Sequence, residues 1–180
     1  MPDQPESQQQ SPKSIDAKTF WRTLGERAVG ATIVTARDAD GPAGFLGLSA
    51  THVCADPPTM LVSIDRKTSA LAAVLQARHF AINYLGRDAQ AVADAFAGKT
   101  DAKGAARFEP GRWGTLTTGA PVFNDALGVL DCVLEKTIEH FATTIAIGRV
   151  VDLVARGSGE PLIYFRGSFL NPSPRSSPAG

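Results

Sequence analysis

Ser49, Thr51, His52 and Cys54 lie just before Asp56-Pro57-Pro58, and Ser63, Asp65, Arg66, Lys67, Thr68 and Ser69 follow it. Hydroxyls, two cations and a helix start within so short a span suit a phosphate carried on a polar chain. Backbone N–H groups freed from a strand and the positive end of a helix both favour an anion there. Proline cannot donate to a ladder, so Pro57-Pro58 ends the pairing of one strand and turns the chain into the next. A solvated turn followed by a capped helix explains the same spacing more simply, and spacing alone favours it. Other chemistries lack their residues. There is no Ser-His-Asp order, no carboxylate pair and no HExxH, while GPAGFLG lacks the GxGxxG spacing of a dinucleotide fold. Cys54 and Cys132 are the only cysteines and form no CxxC, so neither a disulfide framework nor a zinc site is expected. Both read as buried small hydrophobes.

The elements that must position these residues are mostly strands. ATIVTA (31–36), GFLGLSATHV (44–53), TMLVSID (59–65) and HFAINYL (79–85) are β-branched or aromatic runs bounded by Gly, Pro and Asp. GVLDCVLEKTIEH and ATTIAIGRVVDLVA are longer and meet at His140 and Phe141, as a hairpin would. PLIYFRGSFL is a last run after the turn at 157–159. Three helices are expected. One is capped by Ser14 or Asp16 and ends at Gly30, one spans 68–77 with Thr68 as its cap, and one spans 88–98, stopped by Gly98. Strands in succession, rather than in alternation with helices, predict a mainly β fold: an antiparallel barrel with a few flanking helices.

Composition narrows the partners. The 180 residues are 43% hydrophobic, which suits one domain with a real core. Lys plus Arg equals Asp plus Glu at 18 each, so no basic field exists to hold nucleic acid or an anionic membrane. No apolar run approaches the roughly 18 residues of a membrane span, and the first fourteen residues lack a signal-peptide core. A cytoplasmic protein is expected. The Pro/Ser/Gln-rich residues 1–14 and the Pro/Ser/Gly-rich residues 171–180 read as disordered tails around a domain at 15–170.

In order, GATIVTA, GF with the following Ser, Thr and Val, DPP, LVSIDR with TSA, HFAINYL, FAG, PVF with the later Leu and Cys, EH with IGRV, and PLIYFRGSF resemble the short-chain flavin reductases. These are the small reductase components of two-component flavin monooxygenases. The resemblance spans about Phe20 to Phe169. It implies an antiparallel Greek-key split β-barrel, the FMN-binding split barrel, working as a homodimer. It also implies that FMN or FAD accepts hydride from NADH or NADPH and that a separate oxygenase receives the reduced flavin.

The resemblance implies site residues as well. Aligned without gaps to Asp56, Gly44 and Phe45 match the family's Gly-hydrophobic pair, Ser49 and Thr51 match flavin-facing hydroxyls, and Leu46 and Leu48 replace small or polar residues. A second register matches Gly47-Leu48-Ser49-Ala50-Thr51 to the same motif with three residues deleted. The ungapped one is preferred, because a deletion would flip or shorten the pairing. Ser49, Ala50 and Thr51 lie at the site in both. His52 reaches the flavin ring or faces a dimer contact, and Cys54 closes this group. Ser63, Ile64 and Asp65 run beside the flavin chain, with Arg66, Lys67 and Ser69 at its phosphate. Phe96 and Ala97 match a flavin-contacting pair. Asn83 is expected to make a structural hydrogen bond. On the nicotinamide side stand His140, whose neighbours Ile138 and Glu139 depart from the family's Gly-Asp-His, and Phe165-Arg166-Gly167-Ser168. Each segment also has a plain structural explanation: an exposed turn pair for Arg66-Lys67, core for Phe96, a hairpin end for His140, a terminal strand for Phe165.

Hydride transfer is the cofactors' own chemistry, so the protein need only stack nicotinamide on flavin at roughly 3–3.5 Å and exclude water. The lack of acid–base machinery agrees with that. Two alternatives stay open: a flavin store or sensor without turnover, and a flavoenzyme passing electrons to a corrinoid or ferric complex.

Overall fold

The five residues from Thr32 to Ala36 are buried in succession, which a strand with one wet face does not allow. The structure is a computed structural model describing residues 14–170, so most of the expected tail at 1–14 and all of that at 171–180 lie outside the described residues. The strands are β1 (Val29–Gly30), β2 (Thr32–Asp38), β3 (Gly41–Leu46), β4 (Thr51–Ala55), β5 (Pro58–Asp65) and β6 (His79–Tyr84), then β7 (Trp113–Thr115), β8 (Pro121–Phe123), β9 (Gly128–His140), β10 (Thr143–Ala155), β11 (Ile163–Phe165) and β12 (Ser168–Leu170). The helices are α1 (Ala17–Leu24), α2 (Ala70–Ala77) and α3 (Gln90–Phe96). Among the described residues, no helix is long and apolar enough to cross a membrane.

Seven strands form one antiparallel sheet in the order β3-β2-β6-β9-β10-β5-β4. Val34 of β2 and Val62 of β5 have three strands between them, yet both belong to one buried cluster with Met60, Phe80, Ile82 and Leu134. The sheet therefore curls around its own core. This is the expected antiparallel split barrel, with β3 and β4 at its open edges. On the opposite face of β2, Ile33 packs with Leu85, Phe96, Phe123 and Val129 in a second core, roofed by α3 and the β7–β8 pair. Burial on both faces is why TIVTA reads as a continuous apolar run.

Between these layers Asn83 is fully buried in β6. Its Nδ2 donates to the Ile33 carbonyl at 3.1 Å and to Thr35 Oγ1 at 3.3 Å, and its Oδ1 accepts from the Phe123 N–H at 2.8 Å. That is the structural role the sequence suggested. Asp131 is likewise buried, accepting from Thr118 N and Oγ1 at 2.8 and 2.5 Å, which fixes the loop before β8.

Four expectations are corrected. α1 ends at Leu24 rather than Gly30, because the Gly25 N–H closes the helix on the Trp21 and Thr23 carbonyls. The run 44–53 is not one strand. At Gly47 the chain approaches Val34 so closely that a Cβ would lie 2.6 Å from Val34 Cγ2, and pairing resumes only at Thr51. α2 starts at Ala70 with Ser69 in the cap position, not Thr68, and no side chain caps it. Cys54 is exposed, since edge strand β4 has both faces open, whereas Cys132 is buried as expected. The prolines do end β4 at Ala55, with Pro58 opening β5 opposite it.

Candidate functional site

Beside the split of the barrel lies a cleft of about 630 Å³, within the roughly 300–1,000 Å³ typical of small-molecule sites. Its floor is the end of β3, with Phe45 and Leu46, and the irregular segment after it, with Gly47, Leu48 and Ser49. One wall is polar: Ser63 and Asp65 from the end of β5, Thr68 before α2, and Thr143 at the start of β10. Thr143 reaches this wall because it pairs with Asp65 on one side and His140 on the other. The opposite wall is Trp21, Leu24, Gly25, Arg27 and Val29 with Tyr164 and Gly167.

Seven of the residues expected from sequence therefore line the cleft: Phe45, Leu46, Leu48, Ser49, Ser63, Asp65 and Gly167. Ser49 is built into the wall, its Oγ donating to the Ser63 carbonyl at 3.0 Å and accepting from the Ser63 N–H at 3.2 Å.

The phosphate candidates Arg66, Lys67 and Ser69 flank Asp65 and Thr68 in sequence and do not themselves line the cleft. Arg66 Nη2 is 2.6 Å from Glu139 Oε2 on the tip of β9. Lys67 donates its backbone N–H to Asp65 Oδ1 at 2.8 Å, and among the described residues its ammonium forms no ion pair. The exposed hydroxyl of Ser69 is free of capping. Both Arg66 and Glu139 are largely exposed, so their pair contributes only about 0–1 kcal/mol and yields to a competing anion.

Other expected residues stand behind or outside the cleft. Gly44 is buried, and a Cβ there would lie 2.8 Å from Phe96 Cε1. Phe96 belongs to an aromatic cluster, 5.1 Å from Phe108 and 5.4 Å from Trp113 between ring centres, and Ala97 is the C-cap of α3. Ile64 is core, and Ala50 packs against the same core. Thr51, His52 and Cys54 lie on exposed β4, where Cys54 Sγ is 3.1 Å from the Pro57 carbonyl. His140 packs edge-on against Phe141 at 4.6 Å.

Arg166 and Gly167 both have positive φ, +48° and +85°, and make the two-residue turn joining β11 to β12. Arg166 lies 5.0 Å over Phe165, and Ser168 Oγ is 3.4 Å from the Phe165 carbonyl. The Arg166 guanidinium donates twice to Glu26 Oε2, at 3.0 and 2.6 Å, and the Arg166 backbone N–H donates to the Gly25 carbonyl at 3.1 Å. This hydrogen bonding raises the Arg166 pKa further. It also ties the end of α1 to the β11–β12 turn and sets the apolar wall.

Apart from Gly167, the residues of that wall were missed by sequence reasoning. The available signal was in α1, where apolar Phe20, Trp21 and Leu24 alternate with polar residues, yet the folded helix buries none of them.

The cleft offers a concave apolar floor, hydroxyls and a carboxylate on one wall, and Trp21, Arg27 and Tyr164 on the other. A flat ring on a polar, phosphate-bearing chain fits these donors. Among the described residues that line the cleft, no pair of groups is placed for acid–base catalysis.

Comparison with known proteins agrees. Residues 24–173 match the family described as flavin reductase like domain. A curated relative from Rhizobium rhizogenes, FMN reductase (NADH) RutF 2, is 37% identical over 159 residues, covering 86% of this chain and 89% of the relative. FMN reductase (NADH) RutF of Agrobacterium fabrum is also 37% identical, over 156 residues, with 85% of each chain covered. Among solved structures, BorF, the flavin reductase component of a bacterial two-component tryptophan halogenase, superposes with a TM-score of 0.79 at 26% identity, covering 86% of this chain and 97% of that one. A flavin reductase domain protein from Arthrobacter sp. FB24 gives 0.78 at 26% identity, with 89% and 98% covered. The fold, the match over residues 24–173 and these relatives together establish that this chain belongs to the flavin reductase like domain family.

Proposed function

We propose that this protein is an NADH-dependent flavin reductase that takes FMN as its substrate and passes the reduced flavin to a separate oxygenase. The observation that carries the reading is the cleft of about 630 Å³ built on Phe45 to Ser49, whose residues fit a flavin and include no acid–base pair. Hydride transfer from nicotinamide to flavin is chemistry the two cofactors supply when bound. The chain's part is to hold and orient them. The Ser63 and Thr68 hydroxyls face the ribityl chain from a wall that Ser49 braces through Ser63, and Lys67 with Ser69, next in sequence to this wall, takes the phosphate. Phe45, Leu46 and Leu48 keep water from the ring. The relatives named FMN reductase (NADH) support FMN over FAD and NADH over NADPH. The halogenase component BorF supports delivery to a partner.

The working unit is a homodimer in the cytoplasm. In support of the dimer, β4 is an edge strand exposed along its whole length, and Val53, Ile138 and Phe141 leave apolar surface exposed. Unpaired edges of this kind are normally covered.

A second reading, a flavin store without turnover, has one observation in its favour. His140, expected on the nicotinamide, packs against Phe141 and does not line the cleft.

Initial rates with FMN, FAD or riboflavin crossed with NADH or NADPH test the proposal. The highest kcat/KM is expected for FMN with NADH. Flavin binding without turnover in any combination would replace it with the storage reading.

A further inference from the structure

A second cavity, of about 460 Å³, shares no lining residue with the cleft. Three chain reversals border it: residues 86–89 after β6, the turn from β8 into β9, and the turn 156–160 after β10. The backbone ties them together. The Arg87 N–H donates to the Glu160 carbonyl at 2.8 Å, the Leu127 N–H to the Tyr84 carbonyl at 2.9 Å, and the Arg156 N–H to the Leu127 carbonyl at 2.9 Å. Leu127 gives the cavity an apolar side and packs so close to Gly159 that a Cβ there would lie 2.6 Å from Leu127 Cδ2.

Arg87, Arg112 and Arg156 line this cavity together with Asp88, Asp125 and Glu160. The charges balance, but the hydrogen bonds do not. Glu160 pairs with Arg87, yet Arg87 Nε is buried and meets no acceptor among the described residues. Arg112 lies 5.1 Å over Phe123, and its Nη2 is 3.8 Å from Asp125 Oδ2, too far for a hydrogen bond. Its Nη1 reaches Glu109 Oε2 only at 3.3 Å. Arg156 Nη2 donates to the neutral Asn124 carbonyl at 2.8 Å, and among the described residues Arg156 forms no ion pair.

Each guanidinium has five N–H donors, so all three keep donors to spare, and a buried cationic donor without an acceptor is costly. The carboxylates compete for them, but partly exposed ion pairs are weak and yield to a doubly charged anion. A phosphate group supplies that charge, and its oxygens match the guanidinium fork. We propose that Arg87, Arg112 and Arg156 form a second binding site, separate from the flavin cleft, for a phosphate group. The group is either the free ion or part of a small organic phosphate whose remainder lies against Leu127 and Ser158, for which the volume leaves room. The site stands whether or not the protein is a reductase.

Titration calorimetry with inorganic phosphate and with glycerol phosphate tests it, on the unmodified protein and on the Arg87→Gln, Arg156→Gln, Glu160→Gln and Lys67→Ala variants. Arg87→Gln and Arg156→Gln are each expected to weaken binding about tenfold, the loss of one charge-assisted hydrogen bond. Glu160→Gln removes the carboxylate that competes for Arg87 and should tighten binding several-fold, an effect that damage to the fold does not mimic. Lys67→Ala, outside the cavity, should leave it unchanged. FMN affinity should be the same in all three cavity variants, as expected of an intact cleft. Tighter binding of glycerol phosphate assigns an organic phosphate, and equal or weaker binding assigns the free ion. Absence of binding of either compound to the unmodified protein would overturn the proposal. So would binding that Lys67→Ala abolishes, binding indifferent to the cavity substitutions, or losses matched by equal losses of FMN affinity.

Discussion

Ser49 and Ser63 are joined by two hydrogen bonds through a single hydroxyl, 3.0 Å to the Ser63 carbonyl and 3.2 Å from its N–H. Strand pairing between β4 and β5 begins only at Thr51 opposite Leu61, so the Ser49 side chain takes the place of the next ladder partner. The hydroxyl that the sequence pointed to as a flavin contact is therefore also what holds the cleft floor to its polar wall. Ser49→Ala should cost about 1 kcal/mol of stability, seen as a lower urea midpoint, and should also weaken FMN binding. Loss of binding with an unchanged midpoint would mean that the hydroxyl acts on the ligand alone.

Asn83 joins both cores through three buried hydrogen bonds. Asn83→Ala strands the Phe123 N–H in an apolar interior, and a destabilisation of about 2–4 kcal/mol is expected in chemical denaturation. A change under 1 kcal/mol would show that the two layers do not depend on it.

Lys67 lacks an ion-pair partner among the described residues, while Arg66 shares Glu139. Arg66→Ala combined with Lys67→Ala should weaken FMN roughly tenfold and riboflavin little, because a charge-assisted bond to phosphate contributes about 1.5–3 kcal/mol. Titration calorimetry with both ligands gives the comparison. Equal losses would place the phosphate elsewhere.

His140 packs on Phe141 at the tip of the β9–β10 hairpin, directly opposite the cleft residue Thr143. If the hairpin tip positions nicotinamide, His140→Ala raises the KM for NADH several-fold at unchanged FMN affinity. An unaltered KM would leave the residue only a hairpin role.

Burial, reinforced by the nearby Asp131 charge, raises the Cys132 thiol from 9.0 to about 12. Burial, and then Cys132, also raises Tyr84. Between pH 9 and about 12 the unfolded chain releases a thiol proton that the folded chain keeps. Stability is thus complete below pH 9 and falls as pH rises, with a slope of up to about 1.4 kcal/mol per pH unit. Urea midpoints on either side of pH 9 should show this decline in the unmodified protein and a shallower one in Cys132→Ala. Parallel declines would exclude the thiol as the cause.

Particular residues show what was legible in advance. The long β-branched runs 128–140 and 142–155 became β9 and β10 almost unaltered, because a thirteen-residue strand carries its pattern locally. Asn83 was recognisable as a lone amide in an apolar strand. The break at Gly47 was not, since it depends on how close Val34 comes across the sheet. Cys54 was misplaced because its type favours burial, and only the strand order puts β4 at an edge. The α1 wall was hidden for the same reason. Its position is set by Arg166, 140 residues from Glu26, and no local pattern records a contact so distant.

The most direct test of the account mixes the purified protein with a large excess of free FMN and NADH under anaerobic conditions, following nicotinamide absorbance and the flavin band together. Oxidation of NADH with equimolar bleaching of FMN over many turnovers is the predicted result. Bleaching that stops at one flavin per protein, or tight FMN binding with no loss of NADH, would contradict a reductase that releases its reduced flavin.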